Sequence, residues 1–323
     1  MLVTAAVALA AALGGWALWR PGPDREVSVD VAAGAPTRTV LDDLHRRGLL
    51  PSTLIGRLYL VVAGQGRQVH YGRYRFGARS RPQQVLDRLL EGRVEMLSVT
   101  VVEGSTLADI ADKLPALGLG TAEEWRRLAG RVAWIRRVAP DAPSLEGFLF
   151  PDTYRFAEGT SAKVAAYSMV RRFLEVWGEE TASAPPAWGT PLQVVTLASM
   201  VEAETAVPEE RARIAGVFLN RLRRGMLLQC DPTVVYALRR RGLWKGRLLR
   251  PDLEVDDPYN TYRYPGLPPG PIDNPGRDAL HAALNPDDTP YLYFVARPDG
   301  GHVFSRTLRE HNRAIARLKR RRR

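Results

Sequence analysis

Two glutamates carry the chemistry to consider first. Glu202 and Glu204 lie in Ala198-Ser199-Met200-Val201-Glu202-Ala203-Glu204-Thr205, at the end of an apolar stretch that begins at Leu192. At 3.6 residues per turn, Leu197, Met200, Val201 and Glu204 share one helix face. A carboxylate on an apolar stripe is costly to keep charged. It either finds a partner or holds its proton to an unusually high pH. A carboxyl group still protonated near neutrality can serve as a general acid. Glu202 shares a second, fairly apolar stripe with Val195, Ala198 and Ser199, so spacing alone does not choose between the two.

Further along, polar groups gather in loops. Gln229 and Asp231 stand in Leu227-Leu228-Gln229-Cys230-Asp231-Pro232-Thr233, and Asn260, Thr261 and Tyr262 in Pro258-Tyr259-Asn260-Thr261-Tyr262. Aromatic rings interleaved with amides, hydroxyls and carboxylates suit a sugar, with flat faces against C–H surfaces and polar groups against hydroxyls. Cys230 is the one cysteine and has no histidine near it in sequence, which reads as a packed thiol rather than a nucleophile.

The elements that must position these groups follow from pattern. A helix is predicted over 191–205, after a proline-rich loop at 182–190. Pro208 opens the next helix, with Ile214, Val217, Phe218 and Leu222 facing inward and Gly225 closing it. A short helix begins near Pro232, and a proline-rich stretch at 256–276 reads as a long functional loop. A hairpin is predicted from 291–295 and 302–304 around a Pro-Asp-Gly-Gly turn, followed by a basic helix over 307–323. Upstream, helices are predicted over 161–177 and 121–139. Before them stands a loose repeat of strand, glycine and capped helix. Its copies are Val27 to Leu50 (Thr37 as N-cap; Val40, Leu41 and Leu44 inside), Tyr71 to Val94, and Val99 to Leu119.

Composition sets the outer bounds. The chain has 323 residues, 45% hydrophobic and 25% charged, as in globular proteins. Its formal net charge of +11 favours anionic partners. Neither zinc-finger spacing nor an RNA-binding aromatic signature accompanies the charge, so no nucleic-acid partner is expected. Residues 2–19 are uncharged and mostly apolar, about 27 Å as a helix, which suits a retained membrane anchor better than a cleaved signal peptide. The organisation read from the chain is an anchor over 1–20, a linker over 21–26, α+β units over 27–97, a further unit with a connecting helix over 98–143, and a main domain over 144–323.

Several ordered segments resemble the MltG-type (YceG-like) endolytic murein transglycosylases: EGFLFPDTY at 146–154, ASMVEAETA at 198–206, the run from Val217 to Tyr236, YNTY through GLPPGPI and NPG at 259–276, AALNP through TPYLYFV at 282–295, and GGHVFS at 301–306. The resemblance implies an α+β protein with a membrane anchor, LysM-like units and a lytic-transglycosylase-type catalytic domain. It implies peptidoglycan glycan strands as substrate, the inner membrane as location with the catalytic domain outside the cytoplasm, and a neighbouring peptidoglycan synthesis machinery. It implies Glu204 as the single catalytic residue, because Glu204-Thr205 matches the family's Glu-Ser/Thr pair, and no metal or cofactor. Gln229, Asp231, Asn260, Thr261, Tyr262 and Glu202 become substrate-binding or supporting residues. The chain departs from the pattern at Cys230, where Thr or Ser is usual, and in lacking basic residues before the anchor. A non-catalytic glycan-binding scaffold is the alternative that these residues leave open.

Overall fold

The computed structural model describes residues 15–32, 34–64 and 69–321. They fall into two compact units. One comprises residues up to Val99 together with Arg155–Thr160, the other Thr100–Tyr154 with Ser161–Arg323. The expected anchor at 1–20 lies mostly outside the described residues. Among those described, no helix is long and apolar enough to cross a membrane.

In the first unit, strand β1 (Val27–Val31) alternates buried valines with exposed polar residues. Helices α1 (Thr37–Arg46) and α2 (Thr53–Gly64) follow, then strand β2 (Gly72–Phe76), helix α3 (Pro82–Glu91) and strand β3 (Met96–Thr100), with which the chain leaves the unit. β1 and β2 pair antiparallel, Val27 opposite Phe76 and Val31 opposite Gly72. The valines, Tyr74, Phe76 and the apolar faces of α1 and α3 close one shared core. The first two repeat copies are therefore halves of one body rather than two. Thr37 was expected to cap α1, but the N-cap is Pro36. Its extended backbone (ψ 134°) places its carbonyl to accept from the Val40 N–H, and Thr37 becomes the first helical residue. Gly92 ends α3 with the left-handed conformation expected of it.

The third copy contributes to the second unit. Helix α4 (Leu107–Lys113) starts at Thr106, whose hydroxyl accepts from the Asp109 N–H while Asp109 accepts from the Thr106 N–H. Helix α5 (Ala122–Leu128) starts at Thr121 in the same manner. The single helix expected over 121–139 stops there. The Ala129 carbonyl accepts from Leu145, and the chain tightens into a 3-10 turn at Val132–Trp134. Of the span 98–143, read as a LysM-like unit with a connecting helix, residues 100–143 belong to the same compact unit as Ser161 and the residues after it.

Strand β4 (Thr153–Ala157) pairs with β3. Helix α6 (Ala162–Glu180) buries Met169, Val170, Phe173 and Trp177. Helix α7 (Pro191–Glu204) is capped by Thr190 and Gln193, with Pro191 in its first turn. Every residue from Val194 to Val201 is buried, so α7 is covered on all sides rather than along one stripe. Its cover comes from helix α8 (Arg211–Arg223, after a 3-10 turn at Pro208–Glu210), helix α9 (Asp231–Arg240) and helix α10 (Arg277–Leu284). Strands β5 (Tyr293–Ala296) and β6 (His302–Ser305) form the expected hairpin, with Tyr293 opposite Ser305. Helix α11 (Leu308–Arg321) packs on it.

Candidate active site

Glu204 is the last residue of α7, and Thr205 turns the chain extended at φ −145°. The buried helix thus delivers a carboxyl group to its own C-terminus, the negative end of the helix dipole, which favours the neutral acid. Burial pushes Glu204 up to about 7. A hydrogen bond from the Cys230 thiol opposes the rise, the Asp231 carboxylate adds to it, and the Arg221 guanidinium opposes it.

Glu202 has a different environment. One of its oxygens lies 3.1 Å from Arg211, and the other accepts from the Gly276 N–H at 2.9 Å. Arg211 also reaches Asp278 at 3.1 Å. One Glu202 oxygen thus ties α7 to the start of α8 and the other ties it to the loop before α10, so both are committed. The geometry thereby separates two glutamates that spacing left equal.

Three openings meet around Ala203 and Glu204. One, of about 480 Å³, runs along Glu103, Glu202, Glu204 and Arg277. A second, of about 290 Å³, is walled by Glu204, Arg221, Gln229, Asp231, Tyr262 and His302. A third, of about 340 Å³, shares Ala203 with the first and Asp231 with the second.

The expected sugar-binding residues divide. Gln229 is exposed in the second opening and holds a left-handed backbone (φ 50°), with its N–H bonded to the Thr261 carbonyl. Such a conformation in a residue other than glycine is costly and survives where surrounding structure enforces it. Asp231 begins α9 and accepts from the Tyr262 hydroxyl at 2.5 Å, so both side chains wall the cleft beside Glu204. Asn260 and Thr261 lie behind that wall. Asn260 is wholly buried; its amide donates to the Leu253 and Val255 carbonyls and its oxygen accepts from the Tyr262 N–H. Thr261 is buried as well; its hydroxyl accepts from the Cys230 N–H and bonds Thr233 at 2.8 Å. Thr261 thus ties the 229–233 segment to the 260–262 segment, while Asn260 ties that segment to the carbonyls at 253 and 255, and together they fix the backbone that carries Tyr262.

Sequence reasoning missed Arg221. It is buried, donates to the carbonyls of Leu292, Leu227 and Leu228, and stacks on Tyr293 at 5.0 Å. A charged residue four positions after Val217 on an inward-facing helix stripe was the available signal. His302 and His311 were missed as well. The His302 ring and N–H both bond Glu210, at 2.6 and 3.0 Å, and His311 stacks on Tyr293 at the rim. Glu146, read only as part of a motif, accepts from the Leu107 N–H and the Tyr236 hydroxyl, and burial pushes it up to about 7.

Comparison with known proteins bears on the family of the whole chain. The model of the YceG-like family matches residues 29–317. The endolytic murein transglycosylase of Bacillus subtilis (strain 168) is 32% identical over 311 residues, covering 89% of this chain and 83% of that protein. The protein of the same name from Streptococcus pneumoniae serotype 2 is 28% identical over 319 residues; the match covers 90% of this chain and 58% of the pneumococcal protein. A 2.6 Å crystal structure of a YceG-like protein from Listeria monocytogenes superposes with a TM-score of 0.59 at 31% identity, over 90% of this chain and 99% of that one. A family match spanning most of the chain, a relative at this identity and a shared fold lead to one conclusion: the chain belongs to the YceG-like family.

Proposed function

We propose that this chain is an endolytic murein transglycosylase, a peptidoglycan lytic enzyme whose single acid and base is Glu204. The observation that carries the reading is one carboxyl group poised near neutrality in an open cleft, beside a second glutamate whose oxygens are already committed. The names of the bacillary and pneumococcal relatives support the substrate class.

In the proposed reaction, Glu204 donates its proton to the oxygen between MurNAc C1 and GlcNAc C4. The C1–O bond breaks and GlcNAc leaves with its hydroxyl restored. The Glu204 carboxylate then takes the proton of the MurNAc O6 hydroxyl as O6 attacks C1. A 1,6-anhydro ring closes and Glu204 is protonated again. No water is consumed. Arg221 offsets the carboxylate formed midway, while Gln229, Asp231 and Tyr262 face the sugar. Hydrolysis would require a second carboxyl group acting as nucleophile or base, which this reaction does not call on. The apolar segment 2–19 would tether the protein to the cytoplasmic membrane, with the catalytic unit outside the cytoplasm and near peptidoglycan synthesis.

Mass spectrometry of purified glycan strands after digestion tests the reading. Fragments ending in 1,6-anhydroMurNAc are expected. Reducing ends, heavier by one water, would replace it with hydrolysis, and intact strands would favour a glycan-binding scaffold. The acid role also sets a pH dependence. Only protonated Glu204 can start the reaction, so kcat/KM is expected to fall about tenfold per pH unit above about 7. A profile still rising through pH 9 would exclude Glu204 as the acid.

A further inference from the structure

The third opening contains a group that the proposed reaction does not use. Asp273 sits in a loop pinned on both sides. The Ile272 N–H donates to the Ser199 hydroxyl at 3.0 Å, and the Asn274 side chain bonds Leu149, Ser105 and Glu146. Between these anchors Asp273 is 4% exposed, and its Oδ1 is fully enclosed without a hydrogen-bond partner. The residue nonetheless lines the 340 Å³ opening together with Gly104, Ala203, Asp231, Tyr236 and Arg239, and its Oδ2 is the oxygen on the Gly104 side.

A buried carboxyl group lacking a partner costs folding free energy, and such groups call for an explanation outside the fold. Desolvation raises Asp273 well above the carboxylate range, and the nearby Glu202 and Glu146 carboxyls add to the rise. That direction favours the protonated acid, an O–H donor in a rigid mount. Gly104 (φ +74°) stands opposite; a Cβ there would lie 3.9 Å from the other Asp273 oxygen and narrow the approach. Apolar surface from Ile272 and Leu248 and the ring of Tyr236 complete walls that suit a sugar with an acetamido substituent.

We propose that this opening is a saccharide subsite next to the one at Glu204, and that Asp273 recognises an N-acetylhexosamine there by donating a hydrogen bond to an oxygen of the ring's substituents. The assignment rests on reading the cleft as a murein site. Because Asp273 has no partner inside the protein, its removal should weaken glycan binding without weakening the fold, the reverse of what a structural role would give.

The test measures calorimetric binding of a peptide-free oligosaccharide of alternating GlcNAc and MurNAc to the full chain carrying Glu204→Gln, which holds the glycan uncleaved. Adding Asp273→Ala is expected to raise Kd about tenfold, the worth of one well-placed hydrogen bond. Adding Asp273→Asn, which keeps a donor, is expected to raise it less than about threefold. Neither addition should lower Tm. Equal Kd values across all three proteins, or a Tm that drops in both Asp273 variants, would overturn the subsite. A Glu204→Gln protein that binds no glycan at all would overturn the murein reading itself and the subsite with it.

Discussion

Replacing Glu204 with glutamine should abolish lytic activity while raising stability at neutral pH. One group serves as acid and then as base, so its loss removes both contributions, and a fall in kcat of at least about 10³-fold is expected. Glutamine keeps the shape and an oxygen to accept from Cys230, so the site should stay assembled. The stability change follows from linkage. Glu204 has an ordinary value of 4.5 and is raised to about 7 in the folded chain. The folded state therefore holds the proton more tightly than the unfolded state, and the wild type loses stability as pH rises from about 4.5 to about 7. Above that window it carries the full cost of a buried charge, which glutamine never incurs. Tm of Glu204→Gln should exceed that of the wild type at pH 8 and match it at pH 4. A pH-independent difference, or residual production of anhydro ends, would contradict the assignment.

The second large effect is expected at Asn274. Its side-chain oxygen accepts from the buried Leu149 N–H at 2.8 Å, and its amide donates to the Ser105 carbonyl at 2.8 Å and to Glu146 at 3.3 Å. Its backbone also exchanges hydrogen bonds with Ser105 and Gly104. Asn274→Ala would leave a buried N–H, a carbonyl and a carboxyl oxygen each short of a partner. A loss of about 3 kcal/mol is expected, at the severe end for a single substitution. Urea denaturation measures it, and an unchanged midpoint would mean that water replaces the amide. Asn274→Asp should be worse still above neutrality, because it adds a carboxylate among Glu146, Asp273 and Glu202.

These two positions show how unevenly the sequence discloses a site. Glu204 was visible because a charged residue breaks an apolar run, and periodicity is a local property. The expected contrast between stripe and polar face was not what the fold delivered, since α7 is covered all round. What separates Glu202 from Glu204 is Arg211 and the Gly276 N–H, the latter 74 residues away in sequence, and no local pattern reports that. The partners of Asn260 and Thr261 were hidden for the same reason. Amides and hydroxyls look alike whether they face a ligand or hold a loop, and only their partners at Leu253, Val255 and Cys230 decide. Helix and strand positions were largely readable because capping threonines and left-handed glycines act over a few residues. Helix α2 passed unread, its apolar residues Leu54, Leu58, Val61 and Val62 exposed rather than arranged around a core. The break after α5 depends on the Ala129 carbonyl finding Leu145, again beyond the reach of propensity.

The first compact unit takes in Arg155–Thr160 as well as the residues up to Val99, and Glu158 lies 2.6 Å from Arg73 within it. It is therefore not a cassette that one cut releases. A deletion ending at Val99 would remove nearly all of β3 and leave the matching part of β4 with unpaired backbone groups, a ready template for aggregation. Such a truncated protein would report damage to its remaining half rather than the role of the missing one. Genetic dissection of the two halves needs a second edit that replaces 155–160 with a short polar turn.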